Sequence, residues 1–227
     1  MKKAQTRLVA LTLAVSTLTL ISLGFSPAAR AEGLQDDVDQ AVTILEKFGE
    51  IPEKSIPPDV IRDAKGLAIL TSVKAGFIVS GQGGKGLVVA RVGKSWSGPS
   101  AIGTGGAGFG FQAGVEVTEF ILILNTPEAV KAFSHQGNVR LGADVSVAVG
   151  PVGRTVSGAV TPMAAVYTYS RSQGLFGGVS LEGTVVAARD DANAEYYGHK
   201  ITPDEILSGK IKPPKGAHKL VQVLSKY

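Results

Sequence analysis

Two glycine runs have the spacing of a nucleotide-binding loop. Residues 81–86 (GQGGKG) and 103–108 (GTGGAG) both match the pattern G-x-G-x-x-G. In a dinucleotide site, such a loop opens a helix whose N-terminus holds the pyrophosphate. Strand-like residues follow both runs instead, at 87–92 and 109–117. The sequence therefore does not predict a nucleotide site, and no bound cofactor is expected.

The remaining residues capable of chemistry do not form a recognisable catalytic or metal-binding set. His135, His199 and His218 share no helical or hairpin ligand spacing. Glu116 and Glu119 stand three apart, which on a strand directs them to opposite faces of the sheet. The chain has no Cys and no G-x-S-x-G elbow. We therefore predict a protein that is not an enzyme, with no catalytic residue and no metal site.

The first 31 residues have the pattern of a secretory signal peptide. Lys2, Lys3 and Arg7 precede an uncharged, mostly apolar run, and residues 29–31 (ARA) match a cleavage site before Glu32. We expect export to the periplasm or the exterior, with the protein peripheral to a membrane. Because residues 1–31 hold four basic residues and no acid, their removal takes the formal net charge from +4 to zero. The basic balance therefore gives no reason to expect nucleic acid as a partner.

Charge is nevertheless uneven along the remaining chain. Residues 32–63 are strongly acidic, whereas residues 64–115 contain no acid, and residues 145–181 contain none either. These two acid-free stretches supply the basic residues Lys65, Lys74, Lys85, Arg91, Lys94 and Arg171. Such a surface would attract anionic groups, while a glycine-rich sheet with scattered solvated lysines explains the same pattern equally well.

Two aromatic residues lie beside these basic residues. Trp96, the only tryptophan, follows Arg91 and Lys94, and Phe176 lies in a glycine-rich segment after Arg171. An indole beside basic residues suits a lipid interface, and an equally good alternative is a half-buried core position. The same two alternatives apply to Phe176.

Hydrophobic periodicity predicts a helix over residues 34–48. Apolar residues recur there at steps of three and four, while the acids Asp36, Asp37, Asp39 and Glu46 are expected to lie mainly away from the apolar face. A membrane-surface helix would usually carry Lys and Arg on its polar face. The acidic composition therefore favours docking onto the protein's own core.

Short apolar or alternating runs separated by glycine predict strands from residue 66 to about residue 186. The runs fall at 67–70, 76–79, 87–92, 109–117, 120–124, 141–149, 166–170 and 178–181. Of the 29 glycines, 22 lie between residues 76 and 183, where they permit curvature and close backbone approach. The predicted fold class is α+β: a glycine-rich antiparallel β-barrel or sandwich flanked by short helices at the N- and C-terminal ends.

Sequence signals at helix starts predict the shorter helices. Asn125-Thr126-Pro127 and Thr202-Pro203 each place a capping residue before proline, and Glu205 completes a capping box. Further helices are expected at 58–65 and 215–227, and Asp190-Asp191 is interpreted as an exposed turn.

Several segments together resemble the SYLF domain family, in its bacterial secreted lipid-binding branch. They are residues 64–69 (AKGLAI), 105–110 (GGAGFG), 120–125 (FILILN), 169–183 (YSRSQGLFGGVSLEG) and 193–198 (NAEYYG). The resemblance covers about residues 41–227. It divides the chain into a signal peptide (1–31), a helical arm packed on the domain (32–63) and a SYLF-like β-rich domain with C-terminal helices (64–227).

The resemblance implies phospholipid binding and, in some yeast members, actin binding. We expect an anionic phospholipid or membrane surface as the partner, and do not carry actin binding over because of the signal peptide. The expected lipid-binding residues are Lys65, Lys74, Lys85, Arg91, Lys94, Trp96, Arg171 and Phe176. The alternatives are a soluble β-barrel carrier enclosing an apolar ligand, and a small outer-membrane barrel.

Overall fold

Two very long antiparallel strands form the centre of this computed structural model, which describes residues 33–50, 55–135, 138–150, 164–174 and 184–227. Strand β1 spans Gly66–Val92 and strand β3 spans Ser100–Leu124. They pair from Gly66 opposite Leu124 to Val88 opposite Ser100. The short strand β2, Ser95–Trp96, folds back on the end of β1 after a turn at Gly93, whose φ is +59°.

Both long strands bend near their middle, where the β1–β3 register shifts between Phe77 and Val79. The two halves of β1 then lie side by side and antiparallel. The Arg91 amide donates to the Lys65 carbonyl at 2.8 Å, and Gly86 lies against the backbone of Ile69 and Leu70. Only glycine fits at residue 86, because a Cβ there would overlap the Ile69 carbonyl oxygen.

The remaining strands extend the sheet at both edges. Strand β6, Val166–Gly174, pairs with the second half of β3, and β5, Val147–Val149, pairs in parallel with β6. Strand β7, Val185–Ala188, pairs with the first half of β3 and with β4, Val139–Arg140. With the halves of β1 and β3 counted separately, the described residues form nine strands, which curl into a half-barrel. The predicted α+β class and glycine-rich, mainly antiparallel sheet are confirmed.

Each face of the curled sheet is apolar and packs against helices. Odd-numbered residues of the two long strands, such as Leu67, Leu87 and Ile121, join one buried cluster, and even-numbered residues, such as Leu70 and Leu122, join another. The first cluster includes residues of helix α1 (Leu34–Gly49), helix α4 (Asp190–Tyr197) and helix α6 (His218–Leu224). The second includes residues of helix α3 (Pro127–Ser134) and helix α5 (Pro203–Leu207). We call these sides of the sheet the α1 face and the α3 face.

The helix starts follow the signals in the sequence. The Thr126 hydroxyl accepts a hydrogen bond from the Ala129 amide at the start of α3. At α5, the Glu205 amide donates to the Thr202 hydroxyl, and the Glu205 carboxylate accepts from the Thr202 amide at 2.9 Å. A short helix α2 spans Pro58–Asp63, and a 3-10 turn at Lys215–Ala217 leads into α6.

Three expectations about elements need correction. The runs at 67–70, 76–79 and 87–92 belong to one strand, because glycines at their junctions continue the ladder. The region 141–149 forms a strand only at Val147–Val149. Asp190 and Asp191 form the first turn of α4, where acids favour the positive end of the helix dipole, and do not form an isolated turn.

Among the helices in the described ranges, none combines the length and apolar character needed to cross a bilayer.

Candidate functional site

Charged side chains fasten the N-terminal half of α1 to the sheet. Asp37 is only 3% exposed, and its carboxylate accepts a hydrogen bond from Arg189 Nη1 at 2.8 Å. Lys85 Nζ of β1 lies 3.6 Å from the same carboxylate. Burial raises the pKa of Asp37 to about 6, although the adjacent Arg189 charge acts in the opposite direction. Burial, and then the Arg189 charge, lower the pKa of Lys85.

A second set of contacts fastens the C-terminal end of α1. Lys47 Nζ lies 2.6 Å from Glu119 Oε1 on β3. Arg171 Nη1 of β6 donates to the Lys47 carbonyl at 3.0 Å, which places a positive charge at the negative end of the helix. The helix is thus held at both ends by side chains from distant parts of the chain.

Between these anchors, α1 and β1 enclose a cleft of about 350 Å³. Its lining combines apolar, acidic, basic and amide side chains, namely Asp36, Asp37, Gln40, Ala41, Ile44, Ile69, Leu70, Thr71, Lys85 and Gly86. The described residues contain no group of three or more His, Asp or Glu side chains placed to hold a metal ion. Among these lining residues, the Lys85 ammonium and the Asp37 carboxylate form an ion pair.

The basic residues expected to bind lipid do not share one surface. Lys65 and Lys94 are exposed, while Lys85 and Arg171 are engaged in holding α1. Lys74 lies opposite Glu116 in the ladder and therefore belongs to the α3 face. Charges on both faces of a sheet cannot contact one flat surface together.

Trp96 and Arg91 form a local contact that sequence reasoning left open. The Trp96 side chain is buried, at 3% exposure, and the Arg91 guanidinium lies 3.9 Å from its ring centroid. Arg91 Nη2 also donates to the carbonyls of Ile61 and Arg62, at 2.9 and 3.1 Å. Burial lowers the pKa of Arg91. Of the two alternatives for Trp96, the structure shows the core position, and the side chain is not exposed to anchor a membrane. Phe176 lies outside the described residues.

The two glycine runs and the two neighbouring glutamates have the placement that the sequence predicts. Both G-x-G-x-x-G runs lie within strands, at 81–86 in β1 and 103–108 in β3. Glu119 contacts α1, whereas Glu116 belongs to the α3 face, so these carboxylates do not act as a pair.

An apolar strip remains uncovered on the α1 face. Val73, Val115 and Val117 are 44%, 59% and 39% exposed, and Val73 lies directly opposite Val117 in the ladder. Ala75, opposite Val115, completes the strip. Apolar side chains grouped on a sheet surface are typical of interaction sites, because isolated soluble domains rarely leave them together in water.

Sequence reasoning missed the role of Asp37, which was expected to face solvent. The signal was present in the spacing, because Asp37 stands three residues after Leu34 and four before Ala41, both buried. Its partner Arg189 is 152 residues away and could not be identified from local sequence. Asn193 was also missed: it is fully buried, and its side-chain oxygen accepts from the Ala101 amide at 2.7 Å.

Comparisons with known proteins give consistent matches. The family described as "Ysc84: Las17-binding protein actin regulator" matches residues 105–227. "LAS seventeen-binding protein 3" of Saccharomyces cerevisiae is 46% identical over 201 residues, covering 84% of this chain and 44% of that protein. "SH3 domain-containing YSC84-like protein 1" is 46% identical over 203 residues in both Xenopus laevis and Homo sapiens. These alignments cover 86% of this chain, and 61% and 59% of the respective relatives.

The chain thus spans about half the length of the curated relatives it matches. Their names refer to Las17 binding, actin regulation and an SH3 domain, and point to protein partners. The expected partner, an anionic phospholipid or membrane surface with actin binding set aside, is therefore wrong.

Proposed function

Because the chain belongs to the Ysc84 (SYLF) family, we propose that it is a non-catalytic module that binds a protein partner of the actin-regulating class. Two findings support this proposal. The family and its relatives are named for binding, and apolar valine side chains lie exposed together on the sheet. The sequence prediction of an export signal would place the encounter outside the compartment of synthesis, in the periplasm or beyond, at the periphery of a membrane.

The observation that carries the proposal is the valine strip of Val73, Val115 and Val117 on the α1 face. A partner that covers these side chains removes apolar surface from water, which is the main driving force of protein association. The strip lies on paired strands, so its shape is set by the ladder and needs no reorganisation on binding.

The test is co-sedimentation with actin filaments, together with a pull-down by purified Las17, the two proteins named by the relatives. Val73 and Val117 are both changed to Thr, which keeps the β-branched shape and adds a hydroxyl. We expect the double variant to lose about tenfold or more in affinity for whichever protein the parent binds, since hot-spot side chains dominate protein interfaces. Val149→Thr is the matched control, because Val149 is 84% exposed but lies on β5, away from the strip.

Two results would contradict the proposal. One is a parent protein that binds neither actin nor Las17 and instead binds vesicles of anionic phospholipid. The other is a double variant that binds as tightly as the Val149 control.

A further inference from the structure

We propose that a ridge of lysines at the C-terminal end docks an acidic protein segment, an inference that rests on the proposed function. Residues 206–227 contain no Asp or Glu but contain five lysines and His218. The lysine ridge consists of Lys210, Lys212, Lys215, Lys219 and Lys226, all of which are exposed.

Three of these lysines lie in and around the last helix of the chain. Leu220, Val223 and Leu224 of α6 are buried in the cluster on the α1 face, which fixes the orientation of the helix. Lys219 is exposed on α6, while Lys215 lies in the 3-10 turn before this helix and Lys226 lies two residues after its end.

Several basic residues of this chain are paired with its own carboxylates. Lys47, Lys85, Arg62, Arg140 and Arg189 each form an ion pair with a carboxylate. Within the described ranges, none of the ridge lysines forms one. Lys210 lies beside Asp204 and Glu205 around a surface pocket, but the other four lysines can be reached without displacing a carboxylate of this chain.

Acids on α1 border the ridge on one side. Gln35 of α1 donates to the Gly216 carbonyl at 3.5 Å, so the two helices meet beside Lys215. The exposed acids of α1 are Asp36, Asp39 and Glu46. They would repel an acidic partner, so the partner is confined to the lysine side and its orientation is set.

These features favour a protein segment with carboxylates spaced along one side. An extended anionic surface such as a bilayer would bring the α1 acids against like charge. A narrow acidic helix or strand fits the ridge without meeting them, and protein partners agree with the names of the relatives.

The experiment uses the full chain and a synthetic Glu-rich helical peptide as the probe. Lys215, Lys219 and Lys226 are all changed to Glu. The matched control changes Lys65, Lys94 and Lys131 to Glu, which alters the net charge equally on exposed side chains elsewhere. We expect the ridge variant to lose about tenfold or more in peptide affinity at low salt, and the control variant to lose much less. Urea midpoints for all three proteins establish that the comparison is between folded proteins.

Equal losses in the ridge and control variants would overturn the inference, because net charge alone would then account for binding. Stronger binding of the parent to anionic vesicles or single-stranded DNA than to the peptide would also overturn it. Actin and Las17 assays separate this inference from the proposed function. If the ridge variant binds those proteins normally while the Val73 and Val117 variant does not, the ridge inference fails and the proposed function stands. If the parent binds the peptide but neither protein, the proposed function fails.

Discussion

Asp37 shows how a single side chain can determine the position of a helix. Its carboxylate is buried on the inner side of α1. It forms ion pairs with two cations from distant parts of the chain, Arg189 and Lys85. Removing a charge from water is costly, so such a pair contributes less net stability than its short distance suggests. Loss of one partner is more damaging, because the remaining buried charge then has no neutralising neighbour. The contact therefore specifies where α1 docks more than it stabilises the fold.

Asp37 should give the protein a distinctive pH dependence. Because the pKa of its carboxyl is about 6 when folded and 3.8 at its ordinary value, the folded state binds an extra proton between these limits. The contribution of Asp37 to the free energy of unfolding should therefore increase as pH falls from about 6 toward 4. Urea denaturation of the parent and of Asp37→Asn across this range measures it. The parent should gain stability relative to the variant as pH falls, and parallel curves for the two proteins would contradict the assignment.

At the scale of elements, the contact between the two halves of β1 depends on glycine. Gly86→Ala would drive a methyl group into the Ile69 carbonyl and the backbone of Leu70. We expect a loss of about 1–3 kcal/mol, as for other overpacked sites. Gly81→Ala in the same strand is the matched control, because no atom lies within 4 Å of the added methyl. Denaturation midpoints compare them, and equal midpoints would show that the halves of β1 are not in close contact.

Helix α5 should depend on its capping box. Thr202→Ala removes the oxygen that accepts from the Glu205 amide, and should lower the free energy of unfolding by about 0.5–2 kcal/mol. Thr202→Ser retains that oxygen and should lie close to the parent. Chemical denaturation of the three proteins tests the prediction, and a serine variant as unstable as the alanine variant would indicate a packing role for the Thr202 methyl.

Elements with local signals could be predicted from the sequence. The apolar spacing of α1, the caps at Thr126 and Thr202 and the alternation along β3 all depend on near neighbours in the chain. The bend that turns β1 back on itself could not be predicted, because it depends on pairing across the whole half-barrel. The high glycine content of this region can be counted from the sequence, but the residues that each glycine approaches in space cannot be identified from it.

The candidate site was less predictable than the fold for the same reason. Basic residues in acid-free stretches were expected to be free, yet Lys85 is paired with Asp37 and Arg171 with the end of α1. Acidic and basic segments far apart in sequence neutralise each other once folded. The C-terminal lysines, in an acid-free stretch that the sequence reasoning overlooked, remain unpaired among the described residues.

For the molecule as a whole, export leads to a prediction about mass and charge. If residues 1–31 form a cleaved signal, the exported protein should begin at Glu32 and carry no formal net charge. Intact mass spectrometry of protein recovered outside the cytoplasm measures this start. Protein that retains residues 1–31 in that fraction would contradict cleavage at this position.

The order in which the chain is synthesised has a further consequence for α1. Its contacts Glu119, Arg171 and Arg189 all follow it by 72 residues or more. At about 5–20 residues per second, Arg189 is made roughly 7–30 seconds after the helix. Throughout that interval the apolar side of α1 has no completed sheet to cover it. Long-range strand pairing is also slow to form. The nascent chain therefore exposes the apolar side of α1 before the sheet that buries it has been synthesised. This order of synthesis favours binding by chaperones before the half-barrel closes.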